Sequence, residues 1–127
     1  MEQPAPNPHA PIGKAVVDHV NSGAASDAPL WDAHYDPNFT SVEADGMSHT
    51  GREAVQGKHD YWFNAHTVHS MKATGPYLGQ NGFSVIMELD VEPKDGSWPR
   101  MTMQEVGVYT VENGKVVREE FMYPPMG

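Results

Sequence analysis

The 127-residue chain contains no cysteine. Disulfides, thiol nucleophiles and thiolate metal sites are therefore excluded. Basic residues are few: Lys and Arg number 8 against 17 Asp and Glu, for a formal charge of −9. A field of that sign repels phosphate backbones and argues against a nucleic-acid partner. Long apolar runs are missing too, and nothing approaches the roughly 20 residues of a membrane span. The start, MEQPAPNPHAPIGK, lacks the basic region and apolar run of a signal peptide. The expectation is a soluble, cytoplasmic protein with no membrane partner. Hydrophobic residues make up 39% and charged residues 20%, too balanced for disorder, and the length suits one domain around one core.

Pro4, Pro6 and Pro8 stand at alternate positions, which predicts an extended arm over residues 1–10 and a single domain over 11–127. A helix is expected from Pro11, with Ile12, Val16 and Val20 as its apolar stripe and Gly23 as its stop. A short second helix begins at Ser26 or Asp27 and ends at Pro37. A strand over Phe39–Ala44 follows, closed by Asp45 and Gly46. Thr50 to Glu53 reads as a capping box opening a helix to about His66, with the stripe Ala54, Val55, Lys58, Tyr61, Trp62 and Ala65.

From Thr67 the period changes to two, predicting strands over 67–77, 83–91, 100–111 and 115–123. Helices followed by a four-strand meander make an α+β order. A curved, mainly antiparallel sheet under three N-terminal helices leaves room for a cavity.

The last hairpin decides which side chains line it. A two-residue Asn113-Gly114 turn pairs Glu112 with Lys115; a three-residue turn with Gly114 as a bulge pairs Val111 with Lys115 and Tyr109 with Val117. The three-residue turn is preferred because it gathers the aromatics on one face. The other register would exchange Glu105 and Glu119 for Arg118 and Glu120 at the cavity. The expected wall holds His69, Phe83, Met87, Met101, Met103, Glu105, Tyr109, Glu119, Phe121 and Tyr123, with Lys58 and Trp62 above it. Eight Met suit a pocket of adaptable shape. The opposite face is mixed and flat, suited to solvent or a dimer partner.

The segments FTSVEADG, GREAVQGKHDYWFNAH and VYTVENGKVVREEFMY resemble the SnoaL-like proteins of the nuclear transport factor 2-like superfamily over about residues 10–125. That superfamily also holds ketosteroid isomerases and limonene epoxide hydrolases. The resemblance implies a conical α+β barrel with a pocket between helices and sheet, as a homodimer. It leaves the reaction open. The first helix, AVVDHVNSG, lacks the Tyr of an isomerase, and Ala44 stands where its Asp base belongs. Arg52, Arg100 and Arg118 do not supply the Asp–Arg–Asp set of an epoxide hydrolase. SnoaL-like cyclases use His and Asp as acid and base; His69 with Glu105 or Glu119 could fill those roles.

Two nearby carboxylates in an apolar wall push one pKa up, which suits Glu105 and Glu119 to proton transfer; the structural alternatives are a buried ion pair of one with Lys58 or His69, or a place near the open rim in water. Lys58 on an apolar stripe reads either as a cation for a ligand or as a snorkelling side chain. Trp31, Tyr35, Trp62 and Tyr123 line an aromatic cage or simply fill the core. Glu43 reaches the pocket or caps a turn. His59, His66 and His69 lack metal-ligand spacing, so no metal and no cofactor are expected. His9, His19, His34 and His49 read as surface residues. The expected ligand is a small, mostly apolar molecule with a carbonyl or hydroxyl. The candidate activity is an isomerase, cyclase or lyase working by acid/base proton transfer; the alternative is a non-catalytic ligand binder or dimeric interaction module.

Overall fold

The computed structural model of the protein describes residues 6–125. In chain order the elements are α1 (Ala10–Asn21), α2 (Ala28–His34), β1 (Tyr35–Val42), β2 (Ser48–Thr50), α3 (Arg52–Ala65), β3 (His66–Leu78), β4 (Gly82–Pro93), β5 (Met101–Glu112) and β6 (Lys115–Met122). The strands form one sheet in the order β2-β1-β6-β5-β4-β3. All neighbours are antiparallel except β1 and β6. The α+β class and the three helices on the sheet are as expected. The barrel is not: the sheet is open, with β2 and β3 as its edges.

α1 carries proline in its first turn, and Ser22 and Gly23 follow its last residue, Gly23 in the left-handed region at φ +71. Its buried face is Ile12, Gly13, Val16 and Val17. Gly13 is needed there because a Cβ would meet Pro76 Cβ at 2.6 Å. The core continues along β4 through Phe83, Val85, Met87, Leu89 and Val91 and closes with Phe39, Val55 and Val116. Each fully buried aliphatic or Phe side chain contributes roughly 1.5–3 kcal/mol.

Several local expectations change. Of the proline-rich arm, residues 1–5 lie outside the described residues. Residues 7–9 dock on the β3–β4 turn, Asn7 Nδ2 donating to the Gly79 carbonyl at 3.1 Å and His9 Nε2 lying 3.0 Å from the Gln80 carbonyl. β1 begins at Tyr35 and runs through Pro37, so that proline lies within a strand instead of ending a helix. Thr50 does not cap α3: it belongs to β2, its hydroxyl bonds Thr40 at 2.9 Å, and Gly51 at φ +90 takes the cap position. On α3 the inward residues are Val55, Lys58, His59 and Trp62, whereas Tyr61 is 79% exposed and Ala54 is exposed.

The closing hairpin uses the two-residue turn. Glu112 pairs with Lys115, and Asn113 and Gly114 both have positive φ, as a type I′ turn requires. The register then shifts between Thr110 and Val111, so that Val111 faces Val116 while Thr110 faces Arg118. The extra residue, Val117, restores the expected facing: Tyr109 lies opposite Glu119 and Gly107 opposite Phe121.

Candidate functional site

The inner face of the sheet has two halves. Under α1 it is packed core, and Phe83 and Met87 belong to it. Trp31 and Tyr35 are core as well, each against Phe39 at 5.6 Å and 4.8 Å between ring centroids. The expected cavity is therefore filled on that side. Under α3 the face turns polar.

β1 alternates inward at Phe39 and Ser41, and the next inward position, Glu43, lies just past its end. Ser41 stands beside Glu119 in the parallel β1–β6 pairing. Its hydroxyl donates to Glu119 Oε2 at 2.8 Å and accepts from Lys58 Nζ at 2.5 Å. Lys58 also pairs with Glu43 and lies 5.1 Å from the centre of the Phe121 ring. Two turns of α3 thus bring one ammonium over two strands, with only part of it in solvent.

Glu119 is 6% exposed. Burial pushes its carboxyl up to about 7, against the pull of Ser41, Lys58 and Tyr35. Glu105 is half-buried toward the open end of the face. Burial raises it most, Tyr123 and Lys58 draw it back, and Glu43 adds to the rise. Burial and Glu105 raise the Tyr123 phenol, which stays protonated and able to donate. Tyr109, buried with its ring stacked on Phe83 at 4.7 Å, is raised by burial and by both carboxylates.

Glu105 and Glu119, expected near each other on adjacent strands, one residue pair apart or diagonal, are set further apart by the observed register. Glu119 faces Tyr109, and the Gly107–Phe121 pair stands between it and Glu105. Lys58, above Phe121, acts on both carboxyls. Met101 and Met103 continue the inner face beyond Glu105, and Trp62 flanks it from α3 with its ring stacked on His66 at 4.5 Å.

His69 is not brought to this cluster. The β3 register shifts between Val68 and Ser70, and this bulge turns His69 to the outer face, where its Nε2 lies 2.7 Å from Glu92. Ser41 was missed by sequence reasoning, though a period-two count from Phe39 reaches it. His19 and His49 are not plain surface residues. His19 is partly buried with its Nε2 2.8 Å from Asp27, whose other oxygen lies 3.2 Å from His59. His49 stands opposite Ser41 on β2, its Nδ1 buried without a hydrogen-bond partner. No group of three or more His, Asp and Glu suited to hold a metal ion occurs among the described residues. No helix among them is long and apolar enough to cross a membrane.

Two open depressions lie apart from the charged cluster. One of about 650 Å³ is bounded by Pro37, Thr50 and Arg52; the other, about 330 Å³, by Tyr77, Leu78 and Tyr109. Neither is bordered by Lys58, Glu105 or Glu119.

A family model for the SnoaL-like domain matches residues 28–123. A search of curated protein sequences found no match. Among solved structures, the chain is similar to a candidate SnoaL-like polyketide cyclase from Mesorhizobium loti, with 33% identity, 90% of this chain and 97% of the other covered, and a TM-score of 0.80. A protein of ketosteroid isomerase-like fold from Catenulispora acidiphila, crystallised with trimethylamine, is 16% identical over 88% of this chain and 84% of that one, with a TM-score of 0.69. TerC, co-crystallised with polyporic acid, is 14% identical over 92% of both chains, with a TM-score of 0.65. At these last two identities the likeness is one of fold.

Proposed function

The chain belongs to the SnoaL-like family, and from that premise we propose that it binds a small, mostly apolar molecule bearing a carbonyl or hydroxyl and moves a proton on it. The observation that carries this reading is one ammonium, Lys58, acting on two inner-face carboxyls whose hold on a proton burial strengthens, that of Glu119 up to about 7. Glu105, the more open of the two, is the acid or base that meets the substrate. Tyr123 donates to the substrate oxygen, and Lys58 stabilises negative charge that develops on it. Glu119 lies deeper and holds the ammonium in place through Ser41. The family includes cyclases and isomerases, and the ligands crystallised with two fold relatives support a small-molecule occupant.

The test follows the proton itself. A panel of small cyclic ketones and aromatic carbonyl compounds is incubated with the protein in D2O, and deuterium uptake beside the carbonyl is read by NMR. Catalysed uptake that falls by about 10²-fold or more in Glu105→Gln is the expected result. Binding with no uptake would favour the second reading, a ligand binder without turnover. One observation speaks for that reading: the chain Glu43–Lys58–Ser41–Glu119 satisfies its own charges.

We further propose that the chain forms a homodimer through the outer face of the sheet. There Ile86, Val106 and Met122 form one apolar cross-strand row, with Met122 43% exposed. Light scattering at micromolar concentration checks this; a 14.0 kDa species would refute it.

A further inference from the structure

Ser41 is 0% exposed, yet it is polar and has two charged partners. Its single hydroxyl joins an ammonium that solvent can reach to a carboxyl that solvent barely touches. We propose that Ser41 is a positioning residue, which fixes Glu119 and Lys58 relative to each other and sets how tightly Glu119 holds its proton. The proposal rests on the acid–base reading above and adds to it the residue through which the two charges communicate.

A serine hydroxyl donates one hydrogen bond and accepts up to two. Here the hydrogen goes to Glu119 Oε2 and one lone pair takes the Lys58 N–H. The ammonium polarises the hydroxyl, and the hydroxyl passes that field to the carboxylate without the two ions touching. A protonated Glu119 gains less from a donor than the carboxylate does, so Ser41 favours the ionised form and opposes the effect of burial.

The other groups around Glu119 do not duplicate this. Tyr35 at the start of β1 also favours the ionised form, and Asp27 ahead of α2 disfavours it. Tyr109 on β5 and His49 on β2 complete the cross-strand row that contains Glu119 and Ser41. Among the hydrogen bonds of the described residues, those of Ser41 alone join Glu119 to Lys58. A strand position that needed only a small buried side chain would be filled as well by alanine.

The experiment is a ¹³C carboxyl NMR titration of Glu119 in wild type, Ser41→Ala, Ser41→Thr, Lys58→Met and the Ser41→Ala/Lys58→Met double variant. Wild-type Glu119 should titrate at about 7. Ser41→Ala should tighten its proton binding about tenfold, while Ser41→Thr, which keeps the hydroxyl, should leave it within about twofold. Lys58→Met should have a smaller effect in the Ser41→Ala background than in wild type, because the path through the hydroxyl is gone and only the direct charge of Lys58 is left to remove. Equal titration in wild type and Ser41→Ala, or fully additive effects in the double variant, would overturn the role of Ser41 and leave the acid–base reading standing. A wild-type Glu119 that titrates as an ordinary carboxylate would overturn both. If Ser41→Ala does not fold, Ser41→Cys decides, since a thiol is a weak donor: unchanged Glu119 titration in it refutes the proposal.

Discussion

Lys58 on α3 pairs with Glu43, just past the end of β1, with its ammonium over the ring of Phe121. The same ammonium donates to Ser41 and acts on Glu105 and Glu119. One cation thus serves three carboxyls. Its removal should be felt wherever those carboxyls are ionised.

Lys58→Met keeps much of the stem and deletes the charge. At pH 8 we expect a loss of about 1–3 kcal/mol in stability, because Glu43 and Glu119 are left partly buried without their counter-charge. At pH 5 the loss should shrink, since Glu119 is then protonated. Urea unfolding at the two pH values checks this. A variant as stable as wild type at pH 8 would mean that the ammonium is held there at a cost to the fold.

Glu119→Gln tests the opposite charge. The folded pKa of Glu119, about 7, lies above its ordinary value of 4.5. Raised this way, the group favours folding below pH 4.5, and that contribution is lost as pH rises through 7. Above pH 7 the ionised form costs roughly 3 kcal/mol relative to the acid form. The glutamine variant escapes this cost and still offers Ser41 an acceptor. Its stability relative to wild type should climb between pH 4.5 and 7 and level off above. Melting curves across that range decide, and a flat difference would place Glu119 among ordinary carboxylates.

How much of this was legible in the sequence depends on which period was being read. Period-two alternation placed Glu105, Tyr109, Glu119 and Phe121 on one face, and they share it. It did so from the wrong turn, because a later one-residue bulge has the same effect on facing as a longer loop. The same device in β3 defeated the reading of His69, since nothing in HTVHSMKA marks where the extra residue falls. Lys58 stood out because an ammonium on an apolar stripe needs a partner. Ser41 did not, because a serine in a strand carries no signal until its neighbours are known. His19, Asp27 and His59 come from three separate segments, and only the packing of α1 and α3 around the start of α2 brings them together.

Asp27→Asn examines that junction. Burial pushes the Asp27 carboxyl up, but hydrogen bonds and charge from His59 and His19 outweigh it and hold it below its ordinary 3.8. The Asp27 contact in turn raises His59 above 6.5. Asp27 therefore lends stability that is present above pH 3.8 and fails as pH falls through its lower folded value. His59 lends stability that is present below 6.5 and fails as pH rises through its higher folded value. The variant should lose about 1–2 kcal/mol at pH 5.5, where Asp27 and His59 are both charged, and clearly less at pH 9. Thermal unfolding at the two values checks it. An equal loss at both would mean that the contact acts as a neutral hydrogen bond and not as a charged one.

The charge balance of the site also predicts which ligands it refuses. Glu43, Glu105 and Glu119 surround Lys58, and the whole chain carries −9. Lys58 already has Glu43 and Ser41 as partners, so a ligand carboxylate would have to displace one of them while entering a field of its own sign. A neutral ketone or alcohol needs only a donor such as Tyr123 and apolar contact with Phe121 and Met103. Of two ligands with the same skeleton, the alcohol should bind at least about tenfold tighter than the carboxylate at pH 8, a difference of about 1.4 kcal/mol. Added salt should narrow the gap by screening the field. Ligand-observed NMR at low and high ionic strength measures both effects. A carboxylate that binds better than its alcohol would show that Lys58 leaves Glu43 for the ligand, and the ammonium would then be an anion-binding group and not a partner of the carboxyls.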